Sequence, residues 1–417
     1  MSLDQQRNAF LANVDYQELA LALQGPAGIV HSTYAIEGFA FAKRLDLFSV
    51  VEPGEGALFV DVGMEELCGH GHIDAVLRSV GLSDAAPDDP RWKNTAAFIT
   101  HFHDDHDKNL DILVERGLRV AYHGPVVAYT PKRRDAFVRM CGAKREGDAR
   151  IEEPVAFLMG AERHSDQVRA ILRQAQQGQV LRWAGFEWEV LYTPGHTLEH
   201  ACLLERERKM LFAGDHVLRA APGLMQLDPD VHLLVRYLDS IEMLDALGLE
   251  RVFMCHADTI KGPAAVHDAL EALRASYVRP IRLTLNLMRA AATPGGYRAH
   301  NALLRRGSLE ASIHSKDAFV SCQGNDSFVL VEVAPLYGEA LDEATCSGSG
   351  DGWLTAYDAA KAYYAYLNGG FLGQLDLQRA RRVATVFAYL EYLYDVGQLN
   401  RRTAHDGAFE YRIRHVE

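Results

Sequence analysis

The stretch His101-Phe102-His103-Asp104-Asp105-His106 constrains this chain more than any other feature. It directly follows Thr95–Thr100 (TAAFIT), a short apolar run that reads as a buried strand. Side chains two apart on an extended backbone share a side, so His101 and His103 can address one point. If the chain then turns into a helix, Asp105 and His106 swing towards a second point. Neutral imidazole and carboxylate are ligands that divalent zinc prefers. A lone histidine is more often structural. With 18 histidines in 417 residues, however, chance places this six-residue pattern in roughly two of a thousand such chains.

Three later residues extend the pattern. His196 lies in TPGHT after the strand-like EWEVLY, Asp215 in LFAGDH, and His256 in VFMCH. Each sits at the carboxyl end of a predicted strand, where α/β folds collect functional groups. Five histidines and two aspartates suit two metal sites that share a bridging carboxylate.

The rest of the chain supplies the frame. Residues 5–25 read as a helix and 47–51 and 57–62 as strands. Helices follow at 73–80, 109–116, 132–140 and 161–177, with strands at 119–123, 179–183, 187–193, 201–205, 209–214 and 252–255. An apolar-faced helix covers 231–246, and a long amphipathic helix is expected from Pro263 to Met288. Thr293-Pro294-Gly295-Gly296 marks a linker, 318–334 a β-hairpin, and 347–352 a Gly/Ser break. Helices 356–367, with Thr355 as N-cap, and 375–396 then precede a hairpin over 398–413 that turns at Asp406-Gly407. The length fits two domains: 1–291, with a helical insertion at about 130–178, and 292–417.

At this point the residues carry a resemblance. HFHDDH, TPGHT, FAGDH, the strand-end His256 and the early Asp61-Val62-Gly63 are similar to the metallo-β-lactamase superfamily over about residues 25–260. The resemblance implies an α+β fold, a four-layer αββα sandwich with metals at one edge. It assigns His101, His103 and His196 to a first metal, Asp105, His106 and His256 to a second, and Asp215 to the bridge. The tail resembles the lactamase-beta-like 2 group, which implies a smaller, mostly helical, winged-helix-like C-terminal domain. The hairpin inserted within 293–352 departs from that group.

These features point to a dinuclear hydrolase. Two divalent ions, Zn2+ first and Fe or Mn as alternatives, would generate a bridging hydroxide that attacks a thioester, lactone, ester or lactam. Asp105 is the candidate for proton handling besides ligation. No GxSxG is present to suggest a serine hydrolase. The alternatives are an endoribonuclease or phosphodiesterase, with Arg379, Arg381, Arg382, Arg401, Arg402, Arg412 and Arg414 on the tail; a mononuclear iron dioxygenase of sulfur compounds; and a partner-binding module whose metal site is structural. A formal net charge of −13 disfavours nucleic acid as a partner. A homodimer through the tail stays open.

Other residues carry weaker expectations. His200 and His216 are candidates for substrate contact. His31 and Tyr34 are candidates for a site mouth. His70-Gly71-His72 reads as loop, Asp104 and Asp107 as solvated, with a bond from Asp107 to a ligand histidine as the other reading, and Cys255 as core-facing. Six scattered cysteines without a CxxC pair, no signal-peptide pattern and no membrane-spanning stretch fit a cytoplasmic protein with reduced thiols.

Overall fold

A computed structural model describes residues 10–15, 28–35, 44–126, 129–159, 164–292, 352–368 and 376–414. The expected linker at 293–296 and hairpin at 318–334 lie outside these residues. The chain divides into two compact units, each assembled from three stretches. One gathers Met1–Val127, Glu162–Pro222 and Ser240–Leu273, the other Ala128–Ala161, Gly223–Asp239 and Arg274–Glu417.

The first unit contains two sheets. The larger has the order β1-β2-β3-β4-β5-β6-β7, built from Phe10–Asp15, Gly28–Ala35, Arg44–Glu52, Gly56–Val60, Thr95–Ile99, Ala121–His123 and Leu172–Gln174. Strands β1 to β4 pair antiparallel and β4 to β7 parallel. The smaller runs β13-β12-β11-β10-β9-β8, from Ile260–Lys261, Arg251–Phe253, Met210–Phe212, Ala201–Glu205, Phe186–Tyr192 and Val180–Trp183. Only β11 and β12 are parallel in it.

Strand alternation explains the layering. In β4, Ala57 and Phe59 face a cluster that includes Ile73, Val76 and Leu77 of the helix Gly71–Ser79 and Leu110 and Leu113 of the helix Leu110–Arg116. Leu58 and Val60 face the opposite way, into a cluster with Trp188, Val190, Leu203 and Phe212 of the second sheet. Both faces of β4 and β5 are therefore buried, as parallel strands require. Phe48, Phe212 and Phe253 meet at ring separations of 4.7–5.9 Å between the sheets, and Trp188 stacks on at 5.4 Å from Phe212.

The second unit carries the helices Pro131–Met140, Glu152–Leu158, Val278–Ala292, Ala356–Asn368 and Asp376–Asp395, with a small sheet of Leu354–Thr355 (β14), Phe409–Ile413 (β16) and Leu399–Thr403 (β15), in the order β14-β16-β15. Thr355 and Asp358 form the expected N-terminal cap: Asp358 N–H donates to Thr355 Oγ1 at 3.1 Å, and Thr355 N–H to Asp358 Oδ2 at 3.1 Å. The hairpin β15–β16, Leu399–Thr403 against Phe409–Ile413, turns where the sequence places it, with Gly407 at φ 84°.

Several expectations change. Phe10–Asp15 is a strand rather than part of a helix, because β2 offers it a full antiparallel register from Phe10↔Tyr34 to Asp15↔Ile29. Among the described residues of the expected 161–177 helix, Asp166–Ile171 is helical, and Leu172–Gln174 leaves it to extend the parallel sheet. The long helix from Pro263 is two helices, Pro263–Ser276 and Val278–Ala292. Pro280, lacking an N–H, falls in the first turn of the second, the position a helix tolerates. His72, expected in a loop, is a fully buried helical residue. Its ring bridges Ser32 Oγ on β2 (2.8 Å) and Ser49 Oγ on β3 (2.9 Å). That buried polar bridge is why the polar sequence of β2 hides its strand character.

Burial, reinforced by nearby His31, pushes the His72 pKa down to about 3, so the folded protein keeps this ring neutral. The unfolded chain takes up the proton near pH 6.5, so the contribution is intact above that pH and is lost progressively as pH falls towards 3. One such proton is worth about 1.4 kcal/mol per pH unit. In urea unfolding of metal-free protein between pH 6.5 and 4.5, His72→Gln is expected to lower stability at pH 7 yet show a shallower acid decline by about one proton.

Candidate metal centre

The centre forms where strands of the two sheets in the first unit end. Beyond β5, Thr100–His103 runs as extended loop and the short helix Asp104–Asp107 turns Asp105 and His106 inwards. His196 lies in the β9–β10 connection, Asp215 follows β11 and His256 follows β12.

All seven expected residues come together, in two sets. His101, His103, His196 and Asp215 offer ligand atoms within 4.8 Å of one another, and so do Asp105, His106 and His256. In the first set, His103 Nδ1 lies 2.9 Å from His101 Nε2 and 3.1 Å from His196 Nε2. Asp215 reaches both sets. Its Oδ2 is 3.6 Å from His196 Nε2, and its Oδ1 is 3.5 Å from His106 Nε2 and 3.2 Å from His256 Nε2. Asp105 Oδ2 closes the second set, 3.3 Å from His256 Nε2 and 3.7 Å from His106 Nε2. Asp105 is the most solvent-accessible of the seven, with its side chain 26% exposed, and His106 is sealed.

This donor set fits divalent ions. Ligand nitrogens at 2.0–2.1 Å on a tetrahedral ion stand about 3.3 Å apart, close to the spacing of the three converging nitrogens. Burial, and then the positive potential of His106 and His103, holds His101 well below its ordinary pKa, leaving it neutral with a lone pair to give. His106 Nε2 and Asp215 Oδ1 are buried 3.5 Å apart and face the space between the two sets. Burial opposes charge on His106 and His256, but surrounding carboxylates outweigh it: Asp105, Asp61 and Asp215 hold His106 well above its usual value, and Asp215 and Asp105 raise His256 to about 10. The second set thus demands positive charge, which protons or a cation can supply.

The groups behind the ligands orient them. His256 Nδ1 donates to the Arg44 carbonyl at 2.6 Å, and His106 Nδ1 to Asp61 Oδ2 at 2.8 Å. The Thr100 hydroxyl lies 3.1 Å from His101 Nδ1. Sequence reasoning does not single out Thr100 or the Arg44 carbonyl, and it notes Asp61 only within the Asp-Val-Gly element. The one available signal for Asp61 is its place after a strand, like the ligands. Cys255 is buried, as expected, yet its thiol faces the centre, 3.6 Å from Asp61 Oδ2.

His200 and His216 are fully buried, and burial drives both pKa values down. His200 packs 5.2 Å from the His101 ring and 5.5 Å from His216, with Nδ1 held by Thr193 Oγ1 at 2.8 Å. Both rings therefore back the ligands and expose no surface to a substrate. His31 is held by Asp46 at 2.7 Å, and Tyr34 is buried, so both belong to the β2–β3 packing. Asp107 is buried 3.4 Å from His164 Nε2 instead of solvated, because the helix turn that aims His106 inwards carries it inwards too; Asp104 is half-buried.

Gly214 explains the glycine before Asp215. Its φ is 49°, and a Cβ there would stand 2.5 Å from Thr100 Oγ1 and 2.8 Å from His200 Nε2. Gly214→Ala is expected to displace Asp215, lowering bound metal per chain at least several-fold and lowering Tm by several degrees through overpacking of about 1–3 kcal/mol. Elemental mass spectrometry and thermal melts check both effects.

Residues 50–256 match the profile of the metallo-beta-lactamase superfamily. The chain is 33% identical over 89 residues to lactamase-like protein vrtG of Penicillium aethiopicum, covering 21% of this chain and 27% of that protein. It is 40% identical over 48 residues to the hydroxyacylglutathione hydrolase GloC of Haemophilus influenzae, covering 12% and 23%. The matches thus span about a quarter of the length of these curated relatives. A beta-lactamase domain protein of Burkholderia ambifaria shares the fold at 17% identity and a TM-score of 0.54, over 93% of this chain and 91% of that one.

Proposed function

From a chain whose residues 50–256 carry a metallo-β-lactamase superfamily domain, we propose a metal-dependent hydrolase with a two-ion centre acting on a small carbonyl substrate. The observation that carries this reading is Asp215, which turns one carboxylate oxygen to each ligand set. His101, His103 and His196 would hold one ion, Asp105, His106 and His256 the other, with Asp215 between. When bound, such a pair of ions supplies an activated water at neutral pH and polarises the substrate oxygen.

The chain's own residues do the rest. His101, neutral in its buried place, gives a lone pair without competing for a proton. Asp105, the carboxylate open to solvent, accepts a proton from the attacking water on the oxygen not turned to the ligand set and returns it to the leaving group. His200 and His216 keep water from the rear of the ligand rings.

Thioesters head the substrate candidates, since hydroxyacylglutathione, named in one relative, is a thioester. Lactones, esters and lactams follow. Nucleic acid is the weaker reading, because three of the seven tail arginines are held by carboxylates: Arg379 by Asp148 (3.1 Å), Arg401 by Glu391 (2.5 Å) and Arg402 by Glu410 (2.6 Å). A mononuclear iron dioxygenase would not call for the second set. The helix–helix–hairpin order after residue 352 supports a winged-helix-like unit, within a C-terminal part of about 292–417 following a catalytic part of about 1–291. No described helix is long and apolar enough to cross a membrane, and the four described cysteines are free thiols, which suits a cytoplasmic setting.

Elemental mass spectrometry on protein purified without chelator or metal-affinity resin is expected to give about two zinc ions per chain. Turnover of chromogenic thioesters or lactones should then vary little with salt. Asp105→Asn is expected to lower kcat by about 10²–10⁴-fold. About one iron per chain with thiol-dependent oxygen uptake would overturn the hydrolase reading. Full activity and both ions in Asp105→Asn would remove the proton role of Asp105.

A further inference from the structure

We propose that Asp61 is a positioning residue that sets the proton placement of both halves of the centre, acting on His106 directly and on His101 through the Thr100 hydroxyl. The inference rests on the two-ion reading above.

Asp61 is fully buried at the end of β4, with a left-handed φ of 60° that is uncommon for a residue other than glycine. Its Oδ1 accepts the Thr100 backbone N–H at 2.8 Å. Its Oδ2 accepts the Thr100 hydroxyl at 2.9 Å and His106 Nδ1–H at 2.8 Å, with the Cys255 thiol at 3.6 Å. A carboxylate only accepts, so His106 carries its proton on Nδ1 and is left with Nε2 for the centre.

The second link follows from counting protons. A hydroxyl has one, and Thr100 gives it to Asp61. Towards His101 Nδ1, 3.1 Å away, the same oxygen can then only accept. His101 must hold its proton on Nδ1, which leaves a bare lone pair on Nε2, the atom 2.9 Å from His103 Nδ1 in the first ligand set. One buried carboxylate therefore aims the lone pairs of two imidazoles that belong to different ligand sets. Its dependence on acceptor character makes the effect specific to a carboxylate. An amide at position 61 could keep its oxygen on the Thr100 N–H. Its NH2 would then donate towards both Thr100 Oγ1 and His106 Nδ1. The freed Thr100 proton would turn to His101 Nδ1, and both histidines would present N–H where a lone pair is needed.

The test uses the full-length chain, stripped with chelator, with 15N-labelled imidazoles read by long-range 1H–15N correlation, followed by zinc titration. In the wild type His101 should be the Nδ1–H tautomer. In Asp61→Asn it should become the Nε2–H tautomer, and zinc affinity should fall about 10–100-fold at both sites. Thr100→Val should abolish the His101 preference and weaken one ion about tenfold while sparing the other, and Thr100→Ser should restore both. An unchanged His101 tautomer with wild-type zinc affinity in Asp61→Asn overturns the proposal, as does equal loss of both ions in Thr100→Val. Should Asp61→Asn fail to fold by circular dichroism, the Thr100→Val and Thr100→Ser pair decides. A wild type that binds no zinc would sink the two-ion reading alone, because the His101 tautomer is read in the metal-free chain.

Discussion

The centre depends on the face-to-face packing of two sheets. Phe48 from one sheet locks against Phe212 and Phe253 of the other, and Trp188 fills the space beside them. This apolar contact fixes where β5, β11 and β12 stop. His101, Asp215 and His256 are the residues at or just beyond those stops. Strand side chains alternate with a period of two, so a one-residue slip in β5 would exchange the side chains that face its two apolar layers. The ligand geometry is thus a consequence of hydrophobic register before it is a matter of ligand chemistry.

Placing so many polar groups at that edge creates an electrostatic problem, and the two ligand sets meet it differently. The first is dominated by three imidazoles, with His103 Nδ1 2.9 Å from His101 Nε2 and 3.1 Å from His196 Nε2, a spacing that suits a shared cation. The second surrounds two imidazoles with Asp105, Asp215 and Asp61, which favours positive charge. Asp215 belongs to both and links their charge states. Behind them stand acceptors, the Arg44 carbonyl and the Asp61 carboxylate, and each turns a lone pair inwards by taking the proton from the far side of the ring.

The second unit follows another logic. Asp148 accepts from Tyr357 at 2.6 Å and pairs with Arg379, a residue 1% exposed. Arg145 is held by Asp406 and Glu410. A basic surface in the linear sequence becomes, once folded, a set of ion pairs.

The linear sequence singled out the candidate metal-binding residues that the fold brings together. His101, His103, Asp105 and His106 are close in sequence, and His196, Asp215 and His256 each follow an apolar strand, so short-range spacing sufficed to name all seven. Amphipathic helices and the β15–β16 hairpin were legible for the same local reason. What tertiary structure alone decided is everything that depends on partners remote in the chain. Phe10–Asp15 is a strand because β2 lies beside it. His72 is a buried bridge because Ser32 and Ser49 meet it from two strands. Asp61 governs His106 and Thr100 across 45 and 39 residues of sequence. Hydrogen bonds of that span leave no periodic trace along the chain, since their energy is realised only when packing has already excluded water from both partners.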